Sequence, residues 1–387
     1  DKLAVYLPYN SEVILKMDVS KWHGRMIILE ENFMSKQLRV YREGAKTEFD
    51  YQILWEEDFT KLADAVKKLE LSCGKICIVA DDTVGNLYGK EVQKALEELD
   101  VTVDLYTFPA GEASKNLDTV KELYAFLIEH HYTRKDVLAA LGGGVTGDLT
   151  GYAAATYLRG IDFIQIPTTL LAQVDSSVGG KTGVDFRQYK NMVGAFHQPR
   201  LVLIDPDTLS TLPPHFFADG MGEVIKYGCI RRPALFNRLL HEDVQEHLEE
   251  VIYECVDCKR QVVEADALDK GERMILNFGH TLGHALEKLH GFSGLSHGEA
   301  VGIGMVLIAK AGEKSGLTAP GTSEKIAALL EKYHLPTKTD WSMEQIAGAT
   351  ALDKKSAGKN LRLILLHEIG DAYIYTLPRE ELGNFLK

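Results

Sequence analysis

The sequence predicts an α/β protein, with an N-terminal doubly wound, mostly parallel sheet followed by an α-helical C-terminal domain. Three observations support this prediction. From residue 51 onward, short apolar runs alternate with longer amphipathic stretches, which is the pattern of strands joined by crossover helices. One apolar run leads directly into a glycine-rich turn. Beyond about residue 210 the alternation ends, and the apolar spacing becomes helical.

The alternating segment contains five candidate strands and the helices that join them. The strands are predicted at 75–80, 101–108, 136–141, 162–167 and 201–205. Helices are predicted at 86–99 and 117–131, with a third after residue 142. Because these helices are long enough to cross the sheet, the strands are expected to run parallel.

The length of 387 residues predicts two domains, since one domain typically holds about 100–200 residues. Residues 1–50 are assigned to an N-terminal extension of unknown role, with candidate strands at 12–17 and 25–29. Residues 51–210 are assigned to the α/β nucleotide-binding domain and residues 211–387 to the helical domain. Ligands of such proteins usually bind in the cleft between the two parts, at the carboxyl ends of the strands.

Near the start of the helical domain, Pro213 and Pro214 break the chain, and the sequence that follows is predicted to be helical. One long amphipathic stretch follows at 233–267, and two further helices flank a glycine-rich turn near 291–298. Cys255 and Cys258 form a C-x-x-C within the long stretch, but no second pair exists. They are therefore interpreted as thiols on a helix, the redox or zinc role being the alternative. Five cysteines, an odd number, indicate reduced thiols.

Composition and charge exclude several classes of partner. The net charge of −13 disfavours nucleic acid and anionic membranes as partners. No apolar run approaches the ~18–20 residues that a membrane span requires. The N-terminus shows no basic stretch followed by a compact apolar one, although the chain begins at Asp1 without an initiator Met. We therefore expect a cytoplasmic protein.

A glycine-rich turn carries the nucleotide signal. Gly142, Gly144 and Gly147 satisfy G-x-G-x-x-G directly after a predicted strand and at the start of a helix, which gives the domain a Rossmann-like character. A purely structural turn is the alternative. The motif follows the third strand of the series, whereas the Rossmann motif normally follows the first. An acidic residue for the ribose hydroxyls stands at the end of the first strand instead, at Asp81.

Histidines in the helical domain indicate a metal site. His280 and His284 stand at i and i+4 on one helical face, and His297 follows after a glycine-containing turn. Glu223 stands at the start of a predicted helix. A catalytic zinc site takes three protein ligands and keeps one position open. The residues thus offer four candidates for three places, with helix-packing or surface histidines as the alternative.

Basic residues gathered around glycine-rich turns indicate a receptor for carboxylate and phosphate groups. Taken singly, each of them is better explained as an ordinary solvated side chain. Asp175 precedes the first of these turns, where a carboxylate can orient a proton donor or hold a substrate hydroxyl. The basic residues are Lys181, Lys190, Lys226, Lys259, Arg273, Lys354 and Lys355.

Taken together, the motifs closely resemble those of the dehydroquinate synthases, the sugar-phosphate cyclase family of the shikimate pathway. The resemblance covers roughly residue 51 to the C-terminus. The matching motifs are LGGGVTGD, IPTTLLAQVDSSVGGKTGVD, KNMVGAFHQP, GMGEVIKYG, ILNFGHTLGHALE and SHGEA. Several long matches in the right order are far more specific than any single motif.

The resemblance implies an NAD-dependent and metal-dependent carbon–oxygen lyase that serves aromatic amino acid biosynthesis as a homodimer. The implied metal is zinc or cobalt. The implied reaction converts 3-deoxy-D-arabino-heptulosonate 7-phosphate into 3-dehydroquinate and phosphate. NAD transiently oxidises a ring hydroxyl, phosphate is eliminated, the hydride returns, and an intramolecular aldol step closes the carbocycle.

The resemblance also implies roles for particular residues of this chain. The implied metal ligands are Glu223, His280 and His297, which leaves His284 to the substrate or a proton relay. Arg159 is implied to act across the dimer interface. The implied pocket comprises Asp175, Lys181, Asn191, Lys226, Lys259, Arg273, Asn277, His284 and one of Lys354 and Lys355. The implied nucleotide contacts are Asp81, Glu112, Lys115, Gly143, Gly144, Val145, Asp148, Thr168, Thr169, Lys190 and Thr211.

The chain departs from the family pattern at three places. Asp269 stands where the family usually has Glu, which is expected to loosen a substrate contact. Tyr189 replaces the usual glycine before Lys190, and the first ~50 residues exceed the usual N-terminus.

Three other interpretations remain. Another sugar-phosphate cyclase is the nearest: Lys259, Arg273 and Asn277 suit a carboxylate and argue against valiolone or deoxy-inosose synthases, but not against an aminodehydroquinate synthase. A metal-dependent alcohol or glycerol dehydrogenase would accumulate NADH, and its chemistry gives no reason for so many lysines. A non-catalytic binding or scaffold relative would be expected to have lost ligands.

Overall fold

A seven-stranded sheet forms the framework of the N-terminal half. The computed structural model describes residues 36–43, 49–187, 189–269, 271–291, 294–351 and 359–387, so the candidate strands at 12–17 and 25–29 lie outside the described residues. The strands of the sheet are β1 (Gln37–Arg42), β2 (Phe49–Trp55), β3 (Lys75–Asp81), β4 (Thr102–Phe108), β5 (Val137–Gly142), β6 (Asp162–Pro167) and β9 (Leu201–Ile204).

All neighbouring strands of this sheet run parallel except β1, which pairs antiparallel with β2 at the edge. The central strands carry nearly continuous apolar runs, and every residue of β5 is buried. Such runs are typical of parallel strands that are covered on both faces. The predicted fold class is confirmed.

The edge strand β1 and the start of β2 fall within the stretch that was assigned to an extension of unknown role. Part of that stretch therefore belongs to the sheet. The reason is physical: Val40 and Phe49 are buried in the same apolar cluster as Ile53 and Val202. The short polar-flanked run around Val40 gives little periodicity from which this strand could be recognised.

The order of the strands explains why the glycine motif follows the third strand of the series. The sheet order is β1-β2-β9-β6-β5-β3-β4, so the chain moves outward from β3 to β4 and then returns to β5 on the other side of β3. The direction reverses between β3 and β5. Ligands of open α/β sheets bind where the strand order reverses. The glycine turn after β5 and Asp81 at the end of β3 lie at this switch point.

Four α-helices belong to the part of the N-terminal half that the structure describes. They are α1 (Leu62–Lys67), α2 (Asp82–Glu97), α3 (Leu117–Glu129) and α4 (Gly144–Thr156). Helix α2 begins four residues before its predicted start at residue 86. Asp81 caps it, because its carboxylate accepts a hydrogen bond of 2.9 Å from the backbone N–H of Val84.

A two-stranded hairpin that the sequence pattern did not predict follows β6. It consists of β7 (Lys181–Phe186) and β8 (Tyr189–Phe196), which pair antiparallel. The hairpin packs against α4. Gly151 makes this approach possible, because a Cβ at this position would lie 2.4 Å from Cγ2 of Thr182.

The helical half contains eight helices within the described residues and a second hairpin. The helices are α5 (Pro214–Ile230), α6 (Pro233–His241), α7 (Leu248–Ala265), α8 (His280–Leu289), α9 (His297–Lys314), α10 (Thr322–Lys332), α11 (Met343–Ala351) and α12 (Leu382–Phe385). The hairpin consists of β10 (Asn360–Glu368) and β11 (Asp371–Pro378), which pair antiparallel.

The prediction of one continuous amphipathic stretch at 233–267 was wrong. The chain leaves the helix after α6, where Glu242 and Asp243 adopt extended backbone angles. The carboxylate of Asp243 then accepts a hydrogen bond from the N–H of Gln245 and starts a short 3₁₀ turn. Local capping of this kind competes with helix continuation.

Two further expectations concern cysteines and membranes. Cys255 and Cys258 are buried in α7, and all five cysteines are free thiols in the structure. No helix among the residues that the structure describes is both long enough and apolar enough to span a bilayer.

Candidate active site

Three side chains from three helices converge in the helical half. Glu223 lies in the middle of α5, whereas His280 and His297 are the first residues of α8 and α9. Nε2 of His280 lies 3.2 Å from Oε1 of Glu223, and Nε2 of His297 lies 3.4 Å from the same oxygen. One ligand atom of each residue lies within 4.8 Å of the other two. This spacing fits three ligands around one cation.

Glycines at the helix crossings bring these side chains together. A Cβ on Gly222 would lie 2.8 Å from Cα of Gly298, and a Cβ on Gly298 would lie 2.0 Å from the carbonyl oxygen of Asp219. Helices α5 and α9 therefore touch backbone to backbone immediately beside Glu223 and His297. Only glycine tolerates such an approach.

The donor set of this cluster fits a divalent cation such as zinc or cobalt. Glu223 is 1% exposed and its Oε2 pairs with the ammonium of Lys226, while neither carboxylate oxygen has a well-directed hydrogen bond within the described residues. Burial favours the neutral acid, but Lys226 and His280 hold the pKa of Glu223 well below its usual range. The result is an ionised carboxylate whose Oε1 faces two imidazole nitrogens. These are the ligand types that zinc prefers.

His284 lies one turn beyond His280 and outside this set of three. Its ring centroid is 5.6 Å from that of His280 and 6.0 Å from that of His297. Desolvation by the surrounding cleft and the neighbouring His280 lower the pKa of His284, although its side chain is still exposed to solvent. Its imidazole is therefore neutral near pH 7, a state that can accept a proton beside the metal cluster.

Asp175 lies next to the metal cluster, at the centre of a cluster of basic side chains. It lies in a π-helical turn (Ala172–Ser176), a local geometry that is frequent at functional sites. Nζ of Lys259 lies 3.1 Å from Oδ1 of Asp175 and donates to its backbone carbonyl at 2.6 Å. Nζ of Lys226 is 3.7 Å from Oδ1, and the hydroxyl of Tyr227 donates to the same carboxylate. Burial opposes ionisation, but Lys259 and Lys226 lower the pKa of Asp175 to about 2.

Two basic side chains near Asp175, Lys259 and Arg273, are deeply buried. Burial lowers the pKa of Lys259 to about 8, even though Asp175 opposes the shift. Arg273 is almost fully buried and donates to the carbonyl oxygens of Ala267 at 2.9 Å and Gly179 at 3.1 Å. Its Nε has no hydrogen-bond partner among the residues that the structure describes. A buried guanidinium of this kind is a rigid donor for an anionic ligand.

Lys181 stands at the open side of the cleft, at the start of β7. Its side chain is 50% exposed and forms an ion pair with Asp269. Asp269 has a positive φ of 56° and stands four residues before Arg273. The departure from the usual Glu thus retains a carboxylate that contacts the pocket lysine.

The backbone of Asn191 is held in the β7–β8 hairpin, because its N–H donates to Asp185 at 2.7 Å. Asn277 ends the 3₁₀ segment Glu272–Asn277 that leads to α8. Their roles in substrate binding stay predictions.

The residues implied in nucleotide binding are grouped at the carboxyl ends of the parallel strands, with the exception of Lys190. Gly143 and Gly144 start α4 at the switch point, and Gly147 packs so closely that a Cβ would lie 2.6 Å from Oε1 of Gln165. The other implied residues lie after β3 (Asp81), after β4 (Glu112, Lys115), in α4 (Val145, Asp148), after β6 (Thr168, Thr169) and after β9 (Thr211). Their assignment to the nucleotide stays a prediction.

Two of these residues pair with each other, and two more contact side chains outside the set. Nζ of Lys115 lies 2.6 Å from Oδ2 of Asp148, and both are largely buried. Thr211 lies 2.5 Å from the hydroxyl of Tyr88. Lys190, in contrast, extends from β8 to Glu287 in the helical half, with its Nζ 3.1 Å from Oε1.

Two groups of predicted residues are not brought to this cleft within the described chain. Lys354 and Lys355 lie outside the described residues. Arg159 is exposed in the short turn after α4, where both Leu158 and Arg159 have positive φ. Two successive non-glycine residues in this conformation are unusual.

Sequence reasoning missed two residues that contact the site. Tyr227 donates to Asp175, and Glu287 contacts His297. A helical spacing could have indicated both: Tyr227 stands four residues after Glu223, and Glu287 three residues after His284.

Comparisons with known proteins decide the family. The model of the 3-dehydroquinate synthase N-terminal region matches residues 105–219, and that of the C-terminal region matches residues 220–356. A 3-dehydroquinate synthase of Streptococcus suis is 50% identical over 319 residues, which cover 81% of this chain and 90% of the relative. The chain belongs to the 3-dehydroquinate synthase family. The two matched regions of this family meet within α5, immediately before the metal cluster residue Glu223.

Solved structures of other sugar-phosphate cyclases share the fold of this 3-dehydroquinate synthase family member. A 2-deoxy-scyllo-inosose synthase complexed with carbaglucose-6-phosphate, NAD⁺ and Co²⁺ matches with a TM-score of 0.78 and 26% identity, over 91% of this chain and 99% of that one. A 2-epi-5-epi-valiolone synthase from Streptomyces hygroscopicus with NAD⁺ and Zn²⁺ bound matches with a TM-score of 0.78 and 28% identity, over 89% and 98%. An iron-containing alcohol dehydrogenase, 13% identical with a TM-score of 0.58 over 86% of this chain and 95% of that one, shares the fold alone.

Proposed function

We propose that this chain converts 3-deoxy-D-arabino-heptulosonate 7-phosphate into 3-dehydroquinate and phosphate, with NAD and a divalent cation as cofactors. It is then a carbon–oxygen lyase of the shikimate pathway. One observation carries the proposal: in a chain half identical to 3-dehydroquinate synthases, a three-ligand cluster lies beside a buried group of cations. The cluster is Glu223, His280 and His297. The adjoining group is built around Asp175.

The cofactors and the side chains have separate tasks in this reaction. When bound, NAD would supply the reversible oxidation of a ring hydroxyl, and the divalent cation would polarise the oxygen of that hydroxyl. Glu223, His280 and His297 would hold the cation. The nucleotide is expected at the switch point of the sheet, where the N-terminus of α4 attracts the pyrophosphate.

The cations of the pocket bind and orient an anionic substrate. Lys259 and Arg273 are fixed by contacts to Asp175, Ala267 and Gly179, so they meet the carboxylate or phosphate without reorganisation. Lys181 is exposed and paired only with Asp269 among the ion pairs of the described residues, so it can exchange that carboxylate for an incoming anion. Neutral His284 is placed to accept a proton.

A single assay tests the proposed function. Purified protein with NAD, zinc and the heptulosonate phosphate is expected to release one inorganic phosphate per turnover without accumulating NADH, because the hydride returns to the substrate. Phosphate is measured colorimetrically and NADH by its absorbance. Steady NADH accumulation would instead favour a metal-dependent dehydrogenase, and an absence of turnover with bound metal would favour a non-catalytic relative.

The nearest rival is an aminodehydroquinate synthase, whose substrate also carries a carboxylate. The same assay with the amino analogue separates the two. We expect a higher kcat/KM for the heptulosonate phosphate, because the most similar relatives considered above are 3-dehydroquinate synthases.

Lys181→Ala is expected to lower kcat/KM about 100-fold or more while the NAD dissociation constant changes less than about twofold. The reason is that Lys181 reaches into the cleft from β7 and contacts Asp269, away from the glycine turn. NAD affinity is measured by fluorescence titration. Lys121→Ala, which removes an exposed ion pair with Asp118 on α3, is the matched control. A collapse of NAD binding in Lys181→Ala would contradict this assignment.

The proposed enzyme acts as a homodimer in the cytoplasm, with Arg159 of one protomer reaching the site of the other. Support for the dimer comes from the exposed turn that carries Arg159 and from exposed apolar side chains at Leu158 and Phe196. Support for the cytoplasm comes from five free thiols.

A further inference from the structure

A buried carboxylate to which no role has yet been assigned, Glu287, connects two parts of the site. Glu287 lies on α8 and is 1% exposed. Its Oε1 lies 3.3 Å from Nδ1 of His297 and 3.1 Å from Nζ of Lys190. An ionised carboxylate in such a position requires compensation by hydrogen bonds or opposite charge, and both partners provide it.

The contact to His297 fixes which nitrogen of the ring is available to a cation. A neutral imidazole carries one N–H, and the nitrogen without the proton is the one that binds a metal. Nε2 of His297 lies toward Glu223, whereas Nδ1 lies toward Glu287. Donation from Nδ1–H to Glu287 therefore leaves the lone pair of Nε2 directed at the other two ligands.

His280 shows the same arrangement with a different acceptor. Its Nδ1 lies 3.1 Å from the carbonyl oxygen of Phe278, and its Nε2 lies toward Glu223. Both histidines of the cluster are thus held through Nδ1 and present Nε2. A carboxylate acceptor makes the imidazole a stronger ligand than a backbone carbonyl does, because it raises the basicity of the ring.

We propose that Glu287 is a positioning residue of the metal site, which fixes the tautomer and orientation of His297 while Lys190 balances its charge. The proposal rests on the proposed function above for the presence of the cation. It also joins the hairpin that carries Lys190 to the metal cluster, through one shared carboxylate oxygen.

A second cation position is the competing explanation for the same residues. His284, Glu287 and His297 also offer ligand atoms within 4.8 Å of one another. Two features argue against it. The ammonium of Lys190 lies 3.1 Å from the carboxylate that would have to bind a cation. A cation at Nδ1 would also remove the proton through which Glu287 orients His297.

The test compares metal binding by the full-length wild-type protein and the variants Glu287→Gln and Glu287→Asp. We expect Glu287→Gln to raise the Zn²⁺ dissociation constant about 10- to 100-fold, the usual cost of losing such a partner. An amide can present either its oxygen or its NH₂ group to Nδ1, so control of the tautomer is lost. Glu287→Asp retains the charge and should recover part of the affinity. The measurement is chelator competition without NAD or substrate.

Glu313→Gln is the matched control. Glu313 is a partly buried carboxylate near the other end of α9 that accepts hydrogen bonds from Ser323. Its loss disturbs the same helix without touching the cluster, so the Zn²⁺ dissociation constant should stay within about twofold of wild type. In the Co²⁺-loaded proteins, the visible absorption bands should shift in Glu287→Gln and not in Glu313→Gln, because the ligand field of His297 changes only in the first.

An unchanged dissociation constant and Co²⁺ spectrum in folded Glu287→Gln would overturn the proposal, as would two tightly bound Zn²⁺ per wild-type chain. Folding is checked by circular dichroism. If Glu287→Gln does not fold, Glu287→Asp becomes the test. Its shorter side chain cannot keep the contact to Nδ1, so wild-type metal affinity and a wild-type Co²⁺ spectrum in that variant would overturn the proposal. Wild-type protein that binds one Zn²⁺ without forming product would refute the proposed function and leave this inference standing.

Discussion

Glu223→Gln is expected to abolish measurable turnover and to weaken Zn²⁺ binding by roughly a hundred- to several-thousand-fold. The carboxylate is buried, and the variant loses the only negative charge among the three clustered ligands. Removing one partner from a desolvated set of charges costs about 3–5 kcal/mol. Lys226, which pairs with Glu223 three residues away on α5, would also lose a partner. Metal affinity is measured by chelator competition and turnover by phosphate release.

Glu254→Gln provides the control for this experiment. Glu254 lies on α7 and pairs with Arg238 at 2.7 Å, so its substitution also breaks a partly buried ion pair, but outside the cleft. Metal binding and turnover should remain near wild type. Retention of wild-type Zn²⁺ affinity by Glu223→Gln would show that the cation is held elsewhere.

Lys259→Met is expected to lower kcat/KM about 100- to 1,000-fold with little change in metal affinity. Methionine fills a similar volume but removes the charge that faces Asp175. Loss of one preorganised donor in a water-excluded site typically costs this much. Asp175 keeps Lys226 and Tyr227 as partners, so we expect the variant to fold. Steady-state kinetics and chelator competition give the two quantities.

The pH profile provides a second and more specific test of Lys259. Because burial lowers its pKa to about 8, the ammonium is present below that pH and is lost as the pH rises through it. Wild-type kcat/KM should therefore fall above about pH 8. The profile of Lys259→Arg should lose this falling limb, because the guanidinium stays charged. Lys332→Met is the control, since Lys332 lies outside the cleft and donates to the carbonyl oxygen of Leu239. Its profile should retain the falling limb. An unchanged limb in Lys259→Arg would assign it to another group.

Local patterns were sufficient for most of the sheet. The strands β3, β4, β5, β6 and β9 were predicted within one or two residues, because buried apolar runs bounded by helices are a local signal. The strand order was not predictable from these runs, since the pairing of β3 with β5 is set by packing between distant segments. That pairing is what makes the glycine turn after the third strand a switch-point site.

Elements that depend on tertiary contacts were missed. The β7–β8 hairpin lacks a clear alternation and is held by its approach to Gly151 of α4. Edge strand β1 depends on burial of Val40 against the rest of the core. Neither contact produces a periodic pattern in the sequence, and residues 1–50 were therefore assigned to an extension of unknown role.

The sequence predicted which types of residue form the candidate site, but not how these residues are grouped in space. The sequence pattern alone gave four candidates for three metal positions; only the resemblance to a family selected among them. The geometry groups Glu223 with His280 and His297 and leaves His284 beside them. The contact between Glu287 and His297 could not be inferred, because it requires the packing of α8 on α9 to be known.

Because the ligands of the metal cluster come from three separate helices, metal binding is coupled to folding. An unfolded chain has no preformed site, so a cation stabilises only the state in which α5, α8 and α9 are docked. The stabilisation grows with the concentration of free metal. Scarcity of that metal is therefore expected to increase the fraction of unfolded chains open to proteolysis, so that metal supply sets abundance as well as reaction rate.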